Sequence, residues 1–130
     1  FSTHHNLCTN LEGTGGPMVV WDVDKINYNL PDTGMMYNDV KPDYVSIDIE
    51  GVYPSSNINF VKSGFTEALV DRINKYKDNN QKVIITIPGF GISPKNGGMA
   101  WFTQEVVDAV DYICLMYYSQ LNDTDTPAGC

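Results

Sequence analysis

Basic side chains are scarce in this sequence, and long apolar segments are missing. The 130 residues carry 8 lysines and arginines against 16 aspartates and glutamates, which gives a formal net charge of -8. Such a charge repels the phosphates of nucleic acids and the anionic headgroups of membranes. No apolar run approaches the about 20 residues that a membrane-spanning helix needs. The sequence therefore predicts no nucleic-acid partner and no membrane partner, and a neutral ligand fits the charge better.

The sequence also lacks the short motifs that mark many cofactor sites and nucleophilic sites. A Gly-Phe-Gly stretch at 89–91 follows a strand-like run, but Pro94 takes the place of a third glycine and no Lys-Ser/Thr pair follows. No nucleophile elbow is present. His4, His5 and Cys8 lie close together, but no second cluster at zinc-site spacing accompanies them. We therefore predict neither a cofactor nor a metal site.

Cysteine is rare, and its three copies are an odd number. Cys8 and Cys130 lie in the loop-like ends of the chain and are candidates for a disulfide bond that ties these ends together. Cys114 lies inside an apolar run and is expected to be a packed free thiol. Asn122 begins an Asn-Asp-Thr glycosylation pattern. Together these features favour a secreted or extracellular protein.

The chain does contain an alternation of strand-like and helix-like segments within one domain of residues 1–130. Its composition, 42% apolar with 12% aromatic, is typical of a globular protein. Strands are predicted at 18–23, 44–50, 83–87 and 112–118, helices at 60–76 and 101–110, a helical turn at 35–40, and loop-like ends at 1–17 and 120–130.

Strands that alternate with helices indicate right-handed crossover units and a parallel sheet. Four strands are about half of a TIM-type (β/α)8 barrel, which usually needs about 250 residues. The predicted fold is therefore α/β, built of parallel β/α units that form part of such a barrel. A small open sheet with the same local pattern is the alternative.

The predicted strand at 44–50 carries two carboxylates on one face. In the run Asp43-Tyr-Val-Ser-Ile-Asp-Ile-Glu50, apolar and polar residues alternate, so Ser46, Asp48 and Glu50 share a face. A solvated edge strand would also explain this pattern, but further apolar strand-like runs follow and favour a buried strand. Because barrel active sites lie at the carboxyl ends of strands, Asp48 and Glu50 are candidate active-site residues.

This strand resembles the signature of family 18 glycoside hydrolases, the chitinases and their relatives, which reads Asp-Gly-x-Asp-x-Asp-x-Glu. Asp43, Asp48 and Glu50 match the signature, whereas Tyr44 replaces its glycine and Ser46 replaces its inner aspartate. The segment at 110–118 resembles the sixth strand of the family, which carries a Met-x-Tyr-Asp pattern. The resemblance covers roughly residues 42–119.

In that second segment, Met116 and Tyr118 fall on the methionine and the tyrosine, and Ser119 stands where the family usually has an acid or an amide. The resemblance implies hydrolysis of β-1,4-linked N-acetylglucosamine polymers or N-glycans, with the acetamido oxygen of the substrate as the nucleophile. It implies that Glu50 protonates the leaving oxygen and then activates water, that Asp48 orients the acetamido group, and that Tyr118 donates a hydrogen bond to its carbonyl.

Further residues are candidates for substrate binding under the same resemblance. They are Asp43, Ser46, Met116 and Trp101. Trp101 and Trp21 are considered as platforms on which a sugar ring stacks, although a tryptophan in a small domain more often belongs to the core.

Two other functions compete with the hydrolase. The serines at 46 and 119 favour a catalytically weak or inactive chitinase-like protein that binds carbohydrate or has a structural extracellular role. A metal-dependent hydrolase would require Asp22 or Asp24 to lie beside Asp48 and Glu50. The simpler interpretation of Asp22 and Asp24 is that they cap the turn that follows them.

Overall fold

The computed structural model describes residues 1–8, 22–50, 61–88 and 101–116, without the side chains of Asn6, Cys8, Glu50, Pro88 and Met116. Strands and helices alternate in this part of the chain. They are β1 (Ser2–Cys8), α1 (Val23–Asn29), β2 (Tyr44–Glu50), α2 (Phe65–Asp78), β3 (Lys82–Pro88), α3 (Gln104–Ala109) and β4 (Tyr112–Met116).

The four strands form one parallel sheet in the order β1-β2-β3-β4. Each strand pairs with the next one along the chain, and parallel neighbours need a crossover connection, here made through α1, α2 and α3. The predicted α/β class with parallel β/α units is confirmed. The strands predicted at 44–50 and 83–87 and the helices predicted within 60–76 and 101–110 are present, as is the first part of the strand at 112–118.

One face of the sheet, which we call the helix face, lies under the helices and forms the core. Alternate residues of β1, β2 and β3 are completely buried there; they are Leu7, Val45, Ile47, Ile49, Val83, Ile85 and Ile87. The longest helix, α2, packs against them with residues three or four positions apart, namely Phe65, Leu69, Ile73 and Tyr76. Each buried aliphatic side chain contributes about 1.5–3 kcal/mol through the area removed from water.

The first strand of the sheet corrects the prediction that residues 1–17 form a loop. Residues 2–8 form β1, and the rest of that segment lies outside the described residues. On the helix face, β1 places buried His5 and Leu7 beside Ile47 and Ile49 of β2. Leu7 is the one large aliphatic residue of β1, so this segment shows no alternation of apolar and polar residues. Its extended conformation therefore depends on pairing with β2 rather than on a local sequence pattern.

The strand predicted at 18–23 is wrong at its carboxyl end, and its first four residues lie outside the described residues. Asp22 is the N-cap of α1, where its Oδ1 accepts a hydrogen bond from the Lys25 backbone N–H at 3.2 Å. Val23 and Asp24 belong to the first turn of that helix. The capping interpretation of Asp22 is confirmed, and the acidic side chain of Asp24 suits the positive end of the helix dipole.

The helical turn predicted at 35–40 is also wrong. Tyr37 and Val40 exchange backbone hydrogen bonds of 3.1 and 2.9 Å, as the ends of a two-residue hairpin do. Asn38 and Asp39 between them have φ values of 48° and 64°. Positive φ at both central positions defines a type I′ turn, and Asn and Asp are the non-glycine residues that adopt it most readily.

Side-chain hydrogen bonds hold the loop between α1 and β2 at the amino end of the sheet. Tyr76 donates its hydroxyl hydrogen to the carbonyl of Pro31 at 2.6 Å, and burial raises the pKa of this phenol. Gln81 donates from Nε2 to the carbonyls of Thr33 and Pro42 at 2.7 and 2.8 Å. These bonds satisfy loop carbonyls that would otherwise be buried without partners. The carboxyl end of the sheet is the end that holds Asp48 and Glu50.

Candidate functional site

The face of the sheet opposite the helices carries polar side chains and remains partly exposed. Strand pairing aligns two rows on it: His4, Ser46, Ile84 and Tyr112 in one row, and Asp48, Thr86 and Cys114 in the other. We call these two rows the open face. None of these side chains belongs to the hydrophobic core under the helices, so the open face is the place where polar chemistry is available.

Asp48 is the most sheltered charged side chain of the open face among those that the structure describes. Its side chain is 14% exposed, and its Oδ1 atom is buried without a hydrogen-bond partner among the described residues. Burial raises the pKa of the Asp48 carboxyl group, because a charge loses favourable hydration there, and nearby His4 opposes the shift. A buried acceptor without a partner costs stability, and a hydrogen-bond donor on a ligand would satisfy it.

His4 contacts both polar residues of β2 from the neighbouring strand. Its Nδ1 lies 3.2 Å from Ser46 Oγ, and its Nε2 lies 3.8 Å from Asp48 Oδ2. The imidazole is half exposed. Sequence reasoning considered His4 only as a metal ligand, because its segment was assigned to a loop. The available signal was strand alternation across 2–8, which places His4 and His5 on opposite faces.

His5 indeed belongs to the helix face and has a different role from His4. Its side chain is buried, and Nε2 accepts a hydrogen bond from the Met35 backbone N–H at 3.3 Å. Burial lowers the pKa of His5, against the opposite effect of a hydrogen bond to the Asn29 backbone. The two histidines therefore lie on opposite faces of the sheet and do not belong to one cluster. Within the described ranges, no three His, Cys, Asp or Glu side chains are grouped so that they could hold a metal ion.

Glu50 is the last residue of β2, two positions beyond Asp48, at the carboxyl end of the strand. Strand alternation assigns its position to the same face as Asp48. The description of Glu50 ends with its backbone, and the same holds for Met116 at the end of β4. Other predicted site residues lie outside the described residues; they are Trp21, Tyr118, Ser119, Asn122 and Cys130. The disulfide proposed between Cys8 and Cys130 therefore stays a prediction.

Asp43 lies at the opposite end of β2 from Glu50. It precedes the first residue of the strand, is 76% exposed, and contacts the amino group of Phe1 at 2.6 Å through Oδ2. It lies five positions before Asp48, or about 16 Å away along an extended strand. The structure does not bring Asp43 together with Asp48, so we expect no shared contact with one sugar ring.

Two residues, Trp101 of the predicted site and the predicted packed thiol Cys114, have surroundings that differ from those expected. Trp101 is completely buried in the hydrophobic core, edge-on to Phe102 at 5.6 Å between ring centroids, so it offers no platform for a sugar. The alternative that Trp101 is a core residue is the correct one. Cys114 is a free thiol as predicted, but it is exposed on the open face rather than packed. A continuous apolar run such as that around Cys114 does not indicate which face of the strand the helices cover.

The fold and the site together define an α/β protein with a sequentially ordered parallel sheet and a sheltered carboxylate on the face away from the helices. No family model, curated protein or solved structure matches the chain. None of the helices in the described ranges is long and apolar enough to cross a membrane.

Proposed function

We propose that this chain forms part of a secreted, chitinase-like (β/α)8 barrel that hydrolyses β-1,4-linked N-acetylglucosamine polymers or N-glycans. The sheet order supports the barrel, because a barrel adds each strand beside the previous one and covers a single face of the sheet with helices. The open face then corresponds to the interior of the barrel.

Further support for a larger barrel comes from β4. Ile113 and Leu115 occupy the helix side of this strand, in line with Ile85 and Ile87 of β3. They are nevertheless 40% and 42% exposed, whereas Ile85 and Ile87 are completely buried. A further β/α unit beyond β4 would cover these two side chains, as the helices cover their neighbours on β3.

The observation that carries the proposed reaction is the buried Oδ1 of Asp48, two residues before Glu50, which has no hydrogen-bond partner within the described ranges. A free carboxylate oxygen accepts the N–H of an acetamido group and stabilises the positive charge that develops on its nitrogen. Glu50 would protonate the leaving oxygen and then activate water, which requires a pKa raised toward neutrality. Tyr118 would donate to the acetamido carbonyl, and no cofactor takes part in this scheme.

A carbohydrate-binding protein without efficient catalysis is the second candidate. Ser46 occupies the position of the inner aspartate, and its hydroxyl contacts His4 instead of adding a second negative charge beside Asp48. Loss of that charge slows a reaction in which Asp48 must change its protonation and orientation. The same face still presents hydrogen-bonding groups to a neutral saccharide.

The test is release of a fluorophore from chitobiose and chitotriose conjugates by the intact protein. Glu50→Gln removes the proposed acid and should lower kcat/KM about 100-fold or more. Glu67→Gln, a change at an exposed glutamate of α2, is the matched control and should leave the rate unchanged. Equal release by Glu50→Gln and the unchanged protein would remove the hydrolase. Retention on chitin beads without release would support the binding protein.

A further inference from the structure

The imidazole of His4 contacts two β2 side chains, Ser46 and Asp48, that both belong to the sequence motif at 43–50. β1 and β2 are parallel, with His4 opposite Ser46, and the ring extends along the strand toward Asp48. Nδ1 contacts the Ser46 hydroxyl at 3.2 Å, and Nε2 faces Asp48 Oδ2 at 3.8 Å. One side chain from a different strand therefore touches both positions.

The two ring nitrogens have distinct tasks in either charge state. When the ring is neutral with its proton on Nε2, that N–H faces the carboxylate and Nδ1 accepts a hydrogen bond from the Ser46 hydroxyl. When the ring is protonated, Nδ1–H donates to Ser46 Oγ and the positive charge lies beside Asp48. Ser46 orients the ring in both cases, as the partner of one ring nitrogen does in many histidine sites.

We propose that His4 is a positioning residue for Asp48, which it reaches from the neighbouring strand β1. The contact itself is independent of the reaction, but its role in catalysis rests on the proposed function. A separation of 3.8 Å is an ion-pair distance rather than a hydrogen bond. Catalytic contacts of this kind are often long without substrate and shorten in the complex. His4 thus favours the ionised form of Asp48 and leaves Oδ1 to the substrate.

Other titratable groups on this side of the sheet act on Asp48 from farther away or along its own strand. Among the described residues, by strand position, they are Cys8, Tyr44, Glu50, Lys82, Tyr112 and Cys114. Lys82 lies four residues before Thr86, the residue opposite Asp48, or about 13 Å along β3. That distance exceeds the screening length of about 10 Å at 0.1 M salt. Lys82 is therefore a useful control for charge on the same face.

The test is an NMR titration of the Asp48 carboxyl carbon in the intact protein. His4→Gln removes the imidazole whose electrostatic effect lowers the pKa of Asp48, so Asp48 should titrate at higher pH than in the unchanged protein. His4→Lys restores a positive charge without an imidazole and should return the titration to its original pH or below it. Lys82→Gln should change nothing. Because His4 is half exposed, these changes do not threaten the fold. Identical Asp48 titrations in the unchanged protein and in His4→Gln would overturn the proposal.

Hydrolysis of a chitotriose conjugate gives a separate measurement. His4→Gln should move the acidic limb of the kcat/KM profile to higher pH, since ionised Asp48 is needed, and His4→Lys should reverse the change. An NMR shift without any hydrolysis by the unchanged protein would refute the proposed function while supporting the contact. Hydrolysis with the same pH profile in His4→Gln would refute the role of His4 alone.

Discussion

Neighbouring residues of one strand meet opposite surroundings on the two faces of this sheet. On β3, Ile85 is completely buried under the helices, whereas Ile84 on the open face is only partly buried. On β2, Ile47 packs into the core, and Asp48 next to it holds a carboxylate with one buried oxygen that no described residue bonds. The environment of the side chains therefore changes from one residue to the next along each of these strands.

The contrast separates the part of the sheet that stabilises the fold from the part available for chemistry. The helix face gains free energy from apolar burial, which is large and requires no particular partner atom. At Asp48 the open face instead loses folding free energy, because a sheltered carboxylate whose Oδ1 no described residue bonds reduces stability. Natural sequences retain such groups mainly at functional sites. Removing an apolar side chain from the helix face should therefore lower the free energy of unfolding, whereas removing the charge of Asp48 from the open face should raise it.

The largest expected effect is that of truncating the helix face. Ile85→Ala removes a completely buried side chain from β3 and should lower the free energy of unfolding by about 2–5 kcal/mol. Ile84→Ala removes the same atoms one residue away on the open face and should cost less than half as much. Urea denaturation of both variants measures the difference, with unchanged m-values as the condition for comparing midpoints.

The paired variants also test whether the open face is covered in solution. Equal losses for Ile84→Ala and Ile85→Ala would mean that both faces are buried against something, and that the contrast between them does not hold. Loss of stability at Ile85 alone would support it.

The helix face was largely predictable from the sequence, because apolar periodicity reports directly which residues are buried. The run at 83–87 and the three-and-four spacing from Phe65 to Tyr76 indicated β3 and α2. β1 escaped prediction because polar residues occupy both of its faces, among them buried His5, and its strand character depends on pairing with β2. The hairpin at Tyr37–Val40 escaped because Asn-Asp is a weaker turn signal than Asn-Gly.

The candidate site could be predicted only along one strand. The alternation in 44–50 placed Asp48 and Ser46 on one face, which the structure shows. It gave no means to find His4, which reaches them through the register between β1 and β2, a property of two segments about 42 residues apart. It also could not separate Trp101 in the core from a ligand-facing tryptophan, since both are equally apolar.

A smaller loss is expected where the loop at 30–43 packs against the helix face. Gly34 is buried with φ of 70°, and an added Cβ would lie 3.1 Å from Val45 Cγ2 and from Thr3 Oγ1. Gly34→Ala should lower the free energy of unfolding by roughly 1–2 kcal/mol from the backbone conformation alone. Gly64→Ala shares the positive φ but would meet a single side chain, Val23, at 3.2 Å. Thermal melting should therefore show the greater loss for Gly34→Ala.

The smallest effect, and the one of opposite sign, is expected at Asp48. Its folded-state pKa is raised above 3.8, so its contribution to stability is fully present below pH 3.8 and is lost as the pH rises through the folded value. Asp48→Asn cannot ionise, so it avoids the loss of hydration that burial imposes on the charged carboxylate and should slightly stabilise the protein at neutral pH. The gain should disappear below pH 3.8 in urea titrations across pH.

Asp32→Asn provides the control of opposite sign for that titration. A hydrogen bond from Lys75 and the nearby Arg72 lower the pKa of Asp32, so its stabilising contribution is present above pH 3.8 and is lost as the pH falls. Asp32→Asn should therefore destabilise the protein at neutral pH, whereas Asp48→Asn stabilises it. Destabilisation by Asp48→Asn at neutral pH would show that its carboxylate has a strong partner, and the open face would then contribute to stability as the helix face does.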